Sequence, residues 1–343
     1  MAFSDSRVLA EAAGSGALER LLAVTEPQMR RVNALVLSRA DSHVEMVPEL
    51  ARYLIEAGGK RLRPMLTIAA AQLFGAGKTR ETGAEINYAA AVEFMHNATL
   101  LHDDVVDDSD MRRGRPAARM VWGNPASVLV GDFLLGQAFL MMVEAGDLEA
   151  LGVLARAATV IAEGEVFQLA KARDLSTTPD DYAQVIRAKT ATLFEAAAEV
   201  GAIAGGAGAA GRAALRNYGL ELGLAFQLVD DVLDYRGERG ALGKNTGDDL
   251  REGKMTLPVI LALAEANPGE REIISNTLGQ PDASDTALAQ IVAIFNRHRT
   301  LDRTIEVAQT HVRRAREALR PLPACELTTL LSDIAEFYVS RAY

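Results

Sequence analysis

Cysteine, proline and aromatic residues are scarce in this chain. Of its 343 residues only Cys325 is a cysteine, so neither an intramolecular disulfide nor a cysteine-based zinc cluster can form. There are 11 prolines, and aromatic residues make up 5% of the chain. A sequence that is poor in proline and rich in alanine, leucine, glutamate and arginine favours helices over a turn-rich β-sandwich. We therefore predict an all-α protein with few or no strands.

An excess of positive charge is also missing. The 36 Lys and Arg face 46 Asp and Glu, a formal net charge of −10, which argues against a nucleic-acid partner because phosphate binding needs clustered cations. Residues 1–5 lack the basic segment and apolar core of a secretory signal. The longest apolar run, 127–143, is interrupted by Asp132 and falls short of the ~20 residues that span a bilayer. We expect a cytoplasmic protein, soluble or at most peripheral to a membrane.

Long stretches without proline or glycine predict helices that cross the core. Residues 82–108 contain no glycine after Gly83 and predict a helix of roughly 25 residues, nearly 40 Å long at ~1.5 Å per residue. A second long helix is predicted over 215–235, and the Gly/Ala-rich stretch 201–211 predicts close helix packing rather than a linker, because serine is absent. Length alone would allow two domains. Since the helical pattern continues throughout, we predict one domain over 1–343, with residues 1–45 forming N-terminal helices that pack on the core.

The pattern DDxxD occurs twice, at 103–107 and at 230–234. Helix residues four apart lie about 40° apart around the axis, so the first and last aspartates of each motif share a face. Like charges at this spacing repel, and an acidic cluster at the end of an apolar run needs a cation. Oxygen ligands without nearby histidine or cysteine groups favour Mg²⁺, which substrate phosphates commonly complete. A single motif would suggest a solvated acidic helix end, whereas two motifs followed by basic, glycine-containing loops favour a metal site.

Basic residues adjoin glycine or threonine at several points. The groups are Gly58-Gly59-Lys60-Arg61-Leu62-Arg63, Arg112-Arg113, Lys189-Thr190 and Gly243-Lys244. Each alone would be read as an exposed cation. Arginine chelates phosphate oxygens with its planar fork, and lysine adds a point charge. Together with six carboxylates these groups predict a diphosphate site, without specifying a reaction.

These motifs resemble, in order, those of the trans-prenyltransferases, and they look most like long-chain polyprenyl diphosphate synthases. The matching runs are GGKRLRP at 58–64, HNATLLHDDVVDDSDMRRGRPA at 96–117, KTATLF at 189–194, FQLVDDVLDY at 226–235 and GKNTGDDLREGK at 243–254. The resemblance covers roughly residues 45–260. It implies an isoprenoid-synthase-type helical bundle around a deep central cavity. It also implies repeated head-to-tail condensation of isopentenyl diphosphate onto an allylic diphosphate such as farnesyl diphosphate.

The resemblance further assigns roles to single residues. Three Mg²⁺ ions per active site would be held against the allylic diphosphate by Asp103, Asp104, Asp107, Asp230, Asp231 and Asp234. The cations that grip the same diphosphate would be Arg112, Lys189 and Lys244. The diphosphate of isopentenyl diphosphate would be held by Lys60, Arg63, His96 and Arg113. Thr190 and Gln227 would line the reacting centre, where metal-assisted ionisation, attack by the double bond and loss of a proton follow one another. Whether Asp248 and Asp249 contact a metal is left open.

Product length, by the same resemblance, depends on the helix that leads into the first motif. Ala98 and Thr99 lie five and four residues before Asp103, where bulky aromatic residues block the tunnel of short-chain enzymes. Both are small here, which predicts an octaprenyl to decaprenyl product and a tunnel floor formed by larger residues such as Phe94 or Leu154. The family also implies a homodimer, transient membrane contact for product release, and a product used for quinone side chains such as that of ubiquinone.

Three other functions are weighed against this one. A terpene cyclase shares the helical fold, but its second metal site normally mixes Asn, Ser and Glu at wider spacing, whereas this chain has DDVLD. A shorter-chain synthase, making farnesyl or geranylgeranyl diphosphate, would carry the same motifs. A non-catalytic subunit of a heteromeric prenyltransferase is the alternative from another class. Such subunits usually lose motif residues, and this chain retains them.

Overall fold

The computed structural model describes residues 3–75, 83–236 and 247–340, and side chains from residue 16 onward. Its helices are α1 (Phe3–Arg39), α2 (Met46–Glu56), α3 (Leu62–Leu73), α4 (Ala84–Val106), α5 (Ala118–Trp122), α6 (Asn124–Ala145), α7 (Leu148–Lys171), α8 (Pro179–Ile186), α9 (Thr192–Gly205), α10 (Ala209–Arg236), α11 (Asp248–Arg251), α12 (Leu257–Glu265), α13 (Pro268–Thr277), α14 (Asp285–Arg297), α15 (Thr300–Ala318) and α16 (Glu326–Ser340). A π-helical turn, Arg187–Ala191, joins α8 to α9. The strands β1 (Met111–Arg112) and β2 (Arg115–Pro116) pair antiparallel as a short hairpin. The prediction of an all-α protein with few strands is confirmed.

Helix α4 lies at the centre of the bundle. It packs against α1, α3, α6 and α9, and its side chains Tyr88, Phe94 and Leu101 are fully buried. Gly83 precedes it with a positive φ of 70°, which glycine adopts without strain. Because no proline or glycine interrupts the segment, the helix runs unbroken to the first acidic motif, as predicted.

Close approach between helices α3, α9 and α10 depends on glycine. A Cβ on Gly201 would lie 2.3 Å from the carbonyl oxygen of Thr67, and one on Gly219 would lie 2.4 Å from that of Phe194. Neither backbone atom could yield, so larger residues would push the helices apart. The Gly/Ala-rich stretch therefore forms a tight helix junction, with α9 ending at Gly205 and α10 beginning at Ala209.

The N-terminal segment forms one helix, where the sequence suggested several. Helix α1 continues through Pro27, although proline removes a backbone hydrogen bond from a helix interior. Its buried residues Leu21, Val32 and Val36 belong to the main core, and the helix packs against α3, α4 and α16. This tertiary burial compensates for the helix-breaking residue.

Helix α6 is longer than the apolar run identified from sequence. It has 22 residues, and an 18-residue window within it has a mean hydropathy of 1.8, so by length and composition the helix could cross a membrane. One face, which includes Leu134 and Met141, is buried in the interface with α4. The opposite face carries Leu129, Leu140 and Val143 at 66%, 51% and 62% exposure. A helix with one buried and one exposed apolar face is equally compatible with a protein interface.

Candidate active site

A cavity of about 870 Å³ opens where both acidic motifs end. We call it the active-site cavity. Helices α3, α4, α7, α8, α10 and the π-helical turn line it, together with residues 248–256. Its size suits a drug-sized or larger ligand.

The first acidic motif has two aspartates at the cavity wall and one that is buried. Asp103 Oδ2 lies 3.5 Å from Lys189 Nζ, and Asp107 Oδ2 lies 2.8 Å from Lys254 Nζ, both at the cavity wall. Burial would raise the pKa of Asp107, but Lys254 and Lys189 outweigh it and the pKa is lowered. Asp104 is fully buried: its Oδ1 accepts a 2.7 Å bond from Arg112 Nε, and its Oδ2 is a buried acceptor without a hydrogen-bond donor. Burial raises the pKa of Asp104 despite Arg112.

The three aspartates of the second acidic motif differ in their exposure to the cavity. Asp230 is exposed to the cavity. Asp231 is buried, and its two oxygens accept bonds from Tyr182 Oη at 2.6 Å and Gln227 Nε2 at 2.7 Å. Burial, and then Asp249, raise the pKa of Asp231 well above its usual value. Asp234 is half-buried and is not among the residues that line the cavity, and its carboxylate accepts a bond from the Asp249 backbone N–H at 3.3 Å.

The π-helical turn aims Lys189 and Thr190 into the cavity. π-Helical turns are rare and are frequent at functional sites. Thr190 Oγ1 donates a 2.7 Å bond to Gln227 Oε1, so Thr190, Gln227, Asp231 and Tyr182 form one chain of hydrogen bonds across the cavity wall. The predicted pair Thr190 and Gln227 is thus brought together.

Lys189 is held between two carboxylates. Its Nζ lies 2.7 Å from Glu165 Oε2 in addition to its contact with Asp103. Burial alone would lower the pKa of Lys189, but Asp103 and Glu165 outweigh it, so the pKa is raised and the amine stays charged. Burial and the neighbouring Asp103 raise the pKa of Glu165 to about 7.

A separate basic group lies on the α3 side of the cavity. It consists of Lys60, Arg63, His96 and Arg113. The guanidinium of Arg63 stacks 4.3 Å above the ring of Phe194, and its Nε is a buried donor without an acceptor. Burial lowers the pKa of Arg63 to about 10 and lowers that of His96 well below 6.5, with further lowering of His96 by Arg63 and Arg113. His96 is therefore neutral among charged groups.

The backbone at Gly59 and the side-chain contacts of Arg61 hold the loop beside this basic group in place. Gly59 has φ 145°, and a Cβ there would lie 2.9 Å from Arg113 Nη1, so glycine is required where the arginine crosses the loop. Buried Glu93 lies 3.9 Å from Arg61 Nε, and Arg61 also bonds Asn33 of α1. The glycine-rich loop is thereby tied to both α4 and α1.

The structure does not place two of the predicted residues in this cavity. Lys244 falls outside the described residues. Ala98 is buried and absent from the lining of the active-site cavity, whereas Thr99 lines it. Five residues at 100° each put Ala98 about 140° around the α4 axis from Asp103, and Phe94 and Leu154 are also buried in the core.

Sequence reasoning missed three side chains in this cavity: Lys254, Glu165 and Tyr182. Lys254 Nζ contacts Asp107 at 2.8 Å, Asp249 at 3.8 Å and Glu252 at 2.5 Å. It therefore links the first acidic motif to the acidic residues at 249–252. Its signal was available, because it ends the run GKNTGDDLREGK. Glu165 and Tyr182 carry no comparable local signal.

The donor set suits a hard divalent cation. Asp103, Asp107 and Asp230 offer carboxylate oxygens to one cavity, and Mg²⁺ prefers such oxygens together with substrate phosphates. Within the described ranges no three acidic or histidine side chains already converge as a closed metal site. Lysines instead lie against Asp103 and Asp107, which shows that this surface attracts positive charge. The residues therefore fit metal ions that bind together with a phosphate-bearing ligand.

Comparisons with known proteins agree on one family. Residues 44–295 match the family described as polyprenyl synthetase. The octaprenyl diphosphate synthase of Haemophilus influenzae is 41% identical over 326 residues, covering 95% of this chain and 98% of that protein. A polyprenyl synthase from Caulobacter crescentus, solved with calcium and isoprenyl diphosphate, has a TM-score of 0.90 and 48% identity, covering 95% and 98% of the two chains. A decaprenyl diphosphate synthase from Rhodobacter capsulatus has a TM-score of 0.88 and 48% identity, covering 95% and 99%.

Proposed function

The chain belongs to the polyprenyl synthetase family, and from this membership we propose that it is a long-chain trans-polyprenyl diphosphate synthase. It condenses isopentenyl diphosphate repeatedly onto an allylic diphosphate such as farnesyl diphosphate. The observation that carries the proposal is a single cavity with carboxylates of two acidic motifs on one side and the basic group of α3 and α4 on the other. Such a cavity holds two diphosphates, one that departs and one that stays.

The allylic diphosphate lies against the acidic side. Asp103, Asp107 and Asp230 hold Mg²⁺ ions, three per site, and Lys189 and Arg112 add positive charge around the diphosphate. When bound, the metal supplies electrostatic stabilisation of the departing diphosphate. Calcium was bound with isoprenyl diphosphate in the Caulobacter crescentus relative, which supports a divalent-metal requirement here.

Isopentenyl diphosphate lies against the basic side. Lys60, Arg63 and Arg113 hold its diphosphate, and neutral His96 donates a hydrogen bond without adding charge. Its double bond then faces the allylic carbon between the two sides. The allylic C–O bond breaks, a C–C bond forms, and a proton leaves to the departing diphosphate.

The product is an octaprenyl to decaprenyl diphosphate. The named long-chain relatives support this class, and the small residue Thr99 leaves the cavity wall below Asp103 open. A product of this length is membrane-soluble, so we include transient membrane contact, a cytoplasmic location and use in quinone side chains in the proposal.

The exposed apolar face of α6 forms a homodimer interface. Leu129, Leu140 and Val143 continue into Leu148 at the start of α7, which is 84% exposed. The other face of α6 is occupied by α4, and Asp132 lies on the helix, so packing against a second copy suits it better than lipid. Light scattering should give a dimer mass at micromolar concentration, and Leu129→Lys with Val143→Lys should give a monomer. A wild-type monomer would contradict the interface.

The proposed activity is tested by incubating the purified protein with Mg²⁺, farnesyl diphosphate and labelled isopentenyl diphosphate. Dephosphorylated products, separated by thin-layer chromatography, should run with octaprenyl to decaprenyl standards, and EDTA should abolish them. Products no longer than geranylgeranyl would favour the short-chain alternative. A complete lack of extractable label would favour the non-catalytic subunit.

A further inference from the structure

A second cavity lies on the outside of the bundle, between α8, α10, α12 and α15. We call it the outer cleft. It has a volume of about 730 Å³, within the range of small-molecule sites. Its apolar floor consists of Leu220, Leu224, Leu228, Leu257, Leu261 and Val307. No residue of either acidic motif lines it, so it is distinct from the active-site cavity.

The rim of the outer cleft offers positive charge. Arg187 and Arg314 are exposed there, and within the described part of the chain no carboxylate lies within 4.0 Å of either guanidinium. Arg187 interacts at longer range with Glu195, which lies outside the cleft. Arg303, also on the rim, is paired at 2.5 Å with Glu265, which lies outside the cleft. The two unpaired guanidiniums can bind phosphate oxygens.

The carboxylates of the outer cleft already have partners. Glu221 Oε2 lies 2.6 Å from His311 Nδ1, and Glu306 Oε1 lies 3.9 Å from Arg299 Nη2. The lining of the cleft thus carries three arginines against these two carboxylates. An apolar floor below a cationic rim is complementary to an amphipathic anion, with its chain on the floor and its head at the rim.

Two residues separate the outer cleft from the active-site cavity. Tyr182 and Ile186 of α8 line both. The Tyr182 hydroxyl donates its 2.6 Å bond to Asp231, which is bonded through Gln227 to Thr190. A ligand that shifts α8 would therefore act on the hydrogen-bond chain in the wall of the active-site cavity.

We propose that the outer cleft binds a second prenyl diphosphate molecule and that its occupancy modulates condensation through Tyr182. The class of ligand follows from the cleft, while the choice of a prenyl diphosphate rests on the proposed function, because that reaction uses and produces molecules with this combination of apolar chain and anionic head.

The binding test uses farnesyl S-thiolodiphosphate, whose C–S bond resists ionisation, in equilibrium dialysis with the full-length protein. The wild type should bind one equivalent more than Val307→Glu, which puts a negative charge on the apolar floor, or Arg314→Glu, which reverses a rim charge. Each variant should weaken the extra site at least tenfold, the scale of one lost charge-assisted contact, about 1.4 kcal/mol. Arg313→Glu, exposed on the same helix but outside the cleft, is the matched control and should bind as the wild type does.

The functional test measures condensation at saturating substrates while farnesyl monophosphate is added. The rate should change in the wild type and in Arg313→Glu, and should change much less in Val307→Glu and Arg314→Glu. In Tyr182→Phe the extra equivalent should still bind, but the rate should no longer respond to it.

Equal stoichiometry in the wild type and both cleft variants would overturn the site. Displacement of the extra equivalent by phosphatidylglycerol vesicles would also overturn the assignment, since it would identify a lipid surface as the ligand. A Tyr182→Phe response equal to that of the wild type would overturn the coupling. Condensation without added monophosphate tests the proposed function separately. If no condensation occurs, the proposed synthase activity is wrong, but the number of bound equivalents can still be measured by dialysis.

Discussion

The adjacent aspartates of the second acidic motif should respond differently to the same substitution. Asp230 is exposed to the active-site cavity, where we place metal ions. Asp231 is buried, with one oxygen bonded to Tyr182 and the other to Gln227. Asp230→Asn therefore removes a metal ligand, whereas Asp231→Asn places an amide NH₂ against a hydrogen-bond donor.

The two changes differ in which quantity they affect. Asp230→Asn should lower kcat by ~10²–10³-fold, about 2.7–4 kcal/mol, the scale of one lost electrostatic contact in a transition state. The Mg²⁺ concentration that gives half activity should rise. Asp231→Asn leaves one of two buried hydrogen-bond donors without an acceptor, at a cost of about 1–3 kcal/mol, which should appear chiefly as a lower Tm, with a smaller loss of kcat and a nearly unchanged Mg²⁺ midpoint.

The assay is kcat against Mg²⁺ concentration with both substrates saturating, combined with thermal melting followed by circular dichroism. Asp41→Asn, at an exposed carboxylate that lines neither cavity, is the control and should match the wild type. If folded Asp230→Asn keeps more than about a tenth of wild-type turnover, the second motif is not a catalytic metal site. If both variants shift the Mg²⁺ midpoint equally, the separate roles of the two aspartates are wrong.

Three further predictions concern the two diphosphates, the product and the histidine. Arg63→Ala should mainly raise the KM for isopentenyl diphosphate, and Arg112→Ala should mainly raise the KM for the allylic substrate. Steady-state kinetics in which each substrate is varied in turn measure both constants. If each variant instead raises the KM of the other substrate, the two diphosphate sites are assigned the wrong way round. Thr99→Tyr, at the cavity wall, should shorten the product to farnesyl or geranylgeranyl diphosphate, and an unchanged long product from the active variant would place the tunnel elsewhere. Ala98→Tyr, for which the sequence predicted the same effect, should instead overpack the buried core and lower the Tm. Because the pKa of His96 is lowered in the folded state, the unfolded chain takes up a proton first as the pH falls below about 6.5, so stability should fall by about 1.4 kcal/mol per pH unit until the folded pKa is reached. Urea unfolding of the wild type and His96→Gln should show a steeper loss in the wild type; equal slopes would mean that the fold does not keep His96 neutral.

Local signals explain what the sequence predicted. Helix α4 follows from an uninterrupted helical segment, and its length carries the first acidic motif to the cavity. The motif spacing also predicted that Asp103 and Asp107 share a face, and both line the cavity. The glycine-rich loop before α3 was recognisable from the paired Gly58 and Gly59, and both adopt a positive φ in the structure.

Contacts between distant segments explain what the sequence could not predict. Tyr182 reaches Asp231 across 49 positions, and Glu165 reaches Lys189 from another helix, so no spacing rule connects either pair. The DDxxD pattern treats its aspartates alike, although burial separates Asp231 from Asp230. The continuous helix through Pro27 likewise depends on burial against other helices, which overrides the local cost of proline.

The proposed activity requires that the two acidic motifs hold divalent ions around an allylic diphosphate. Anomalous diffraction from crystals grown with Mn²⁺ and farnesyl S-thiolodiphosphate tests it directly. We expect Mn²⁺ peaks within about 2.6 Å of carboxylate oxygens of Asp103, Asp107 and Asp230, with the diphosphate of the probe completing their coordination. A bound probe with no Mn²⁺ peak at these carboxylates would contradict it.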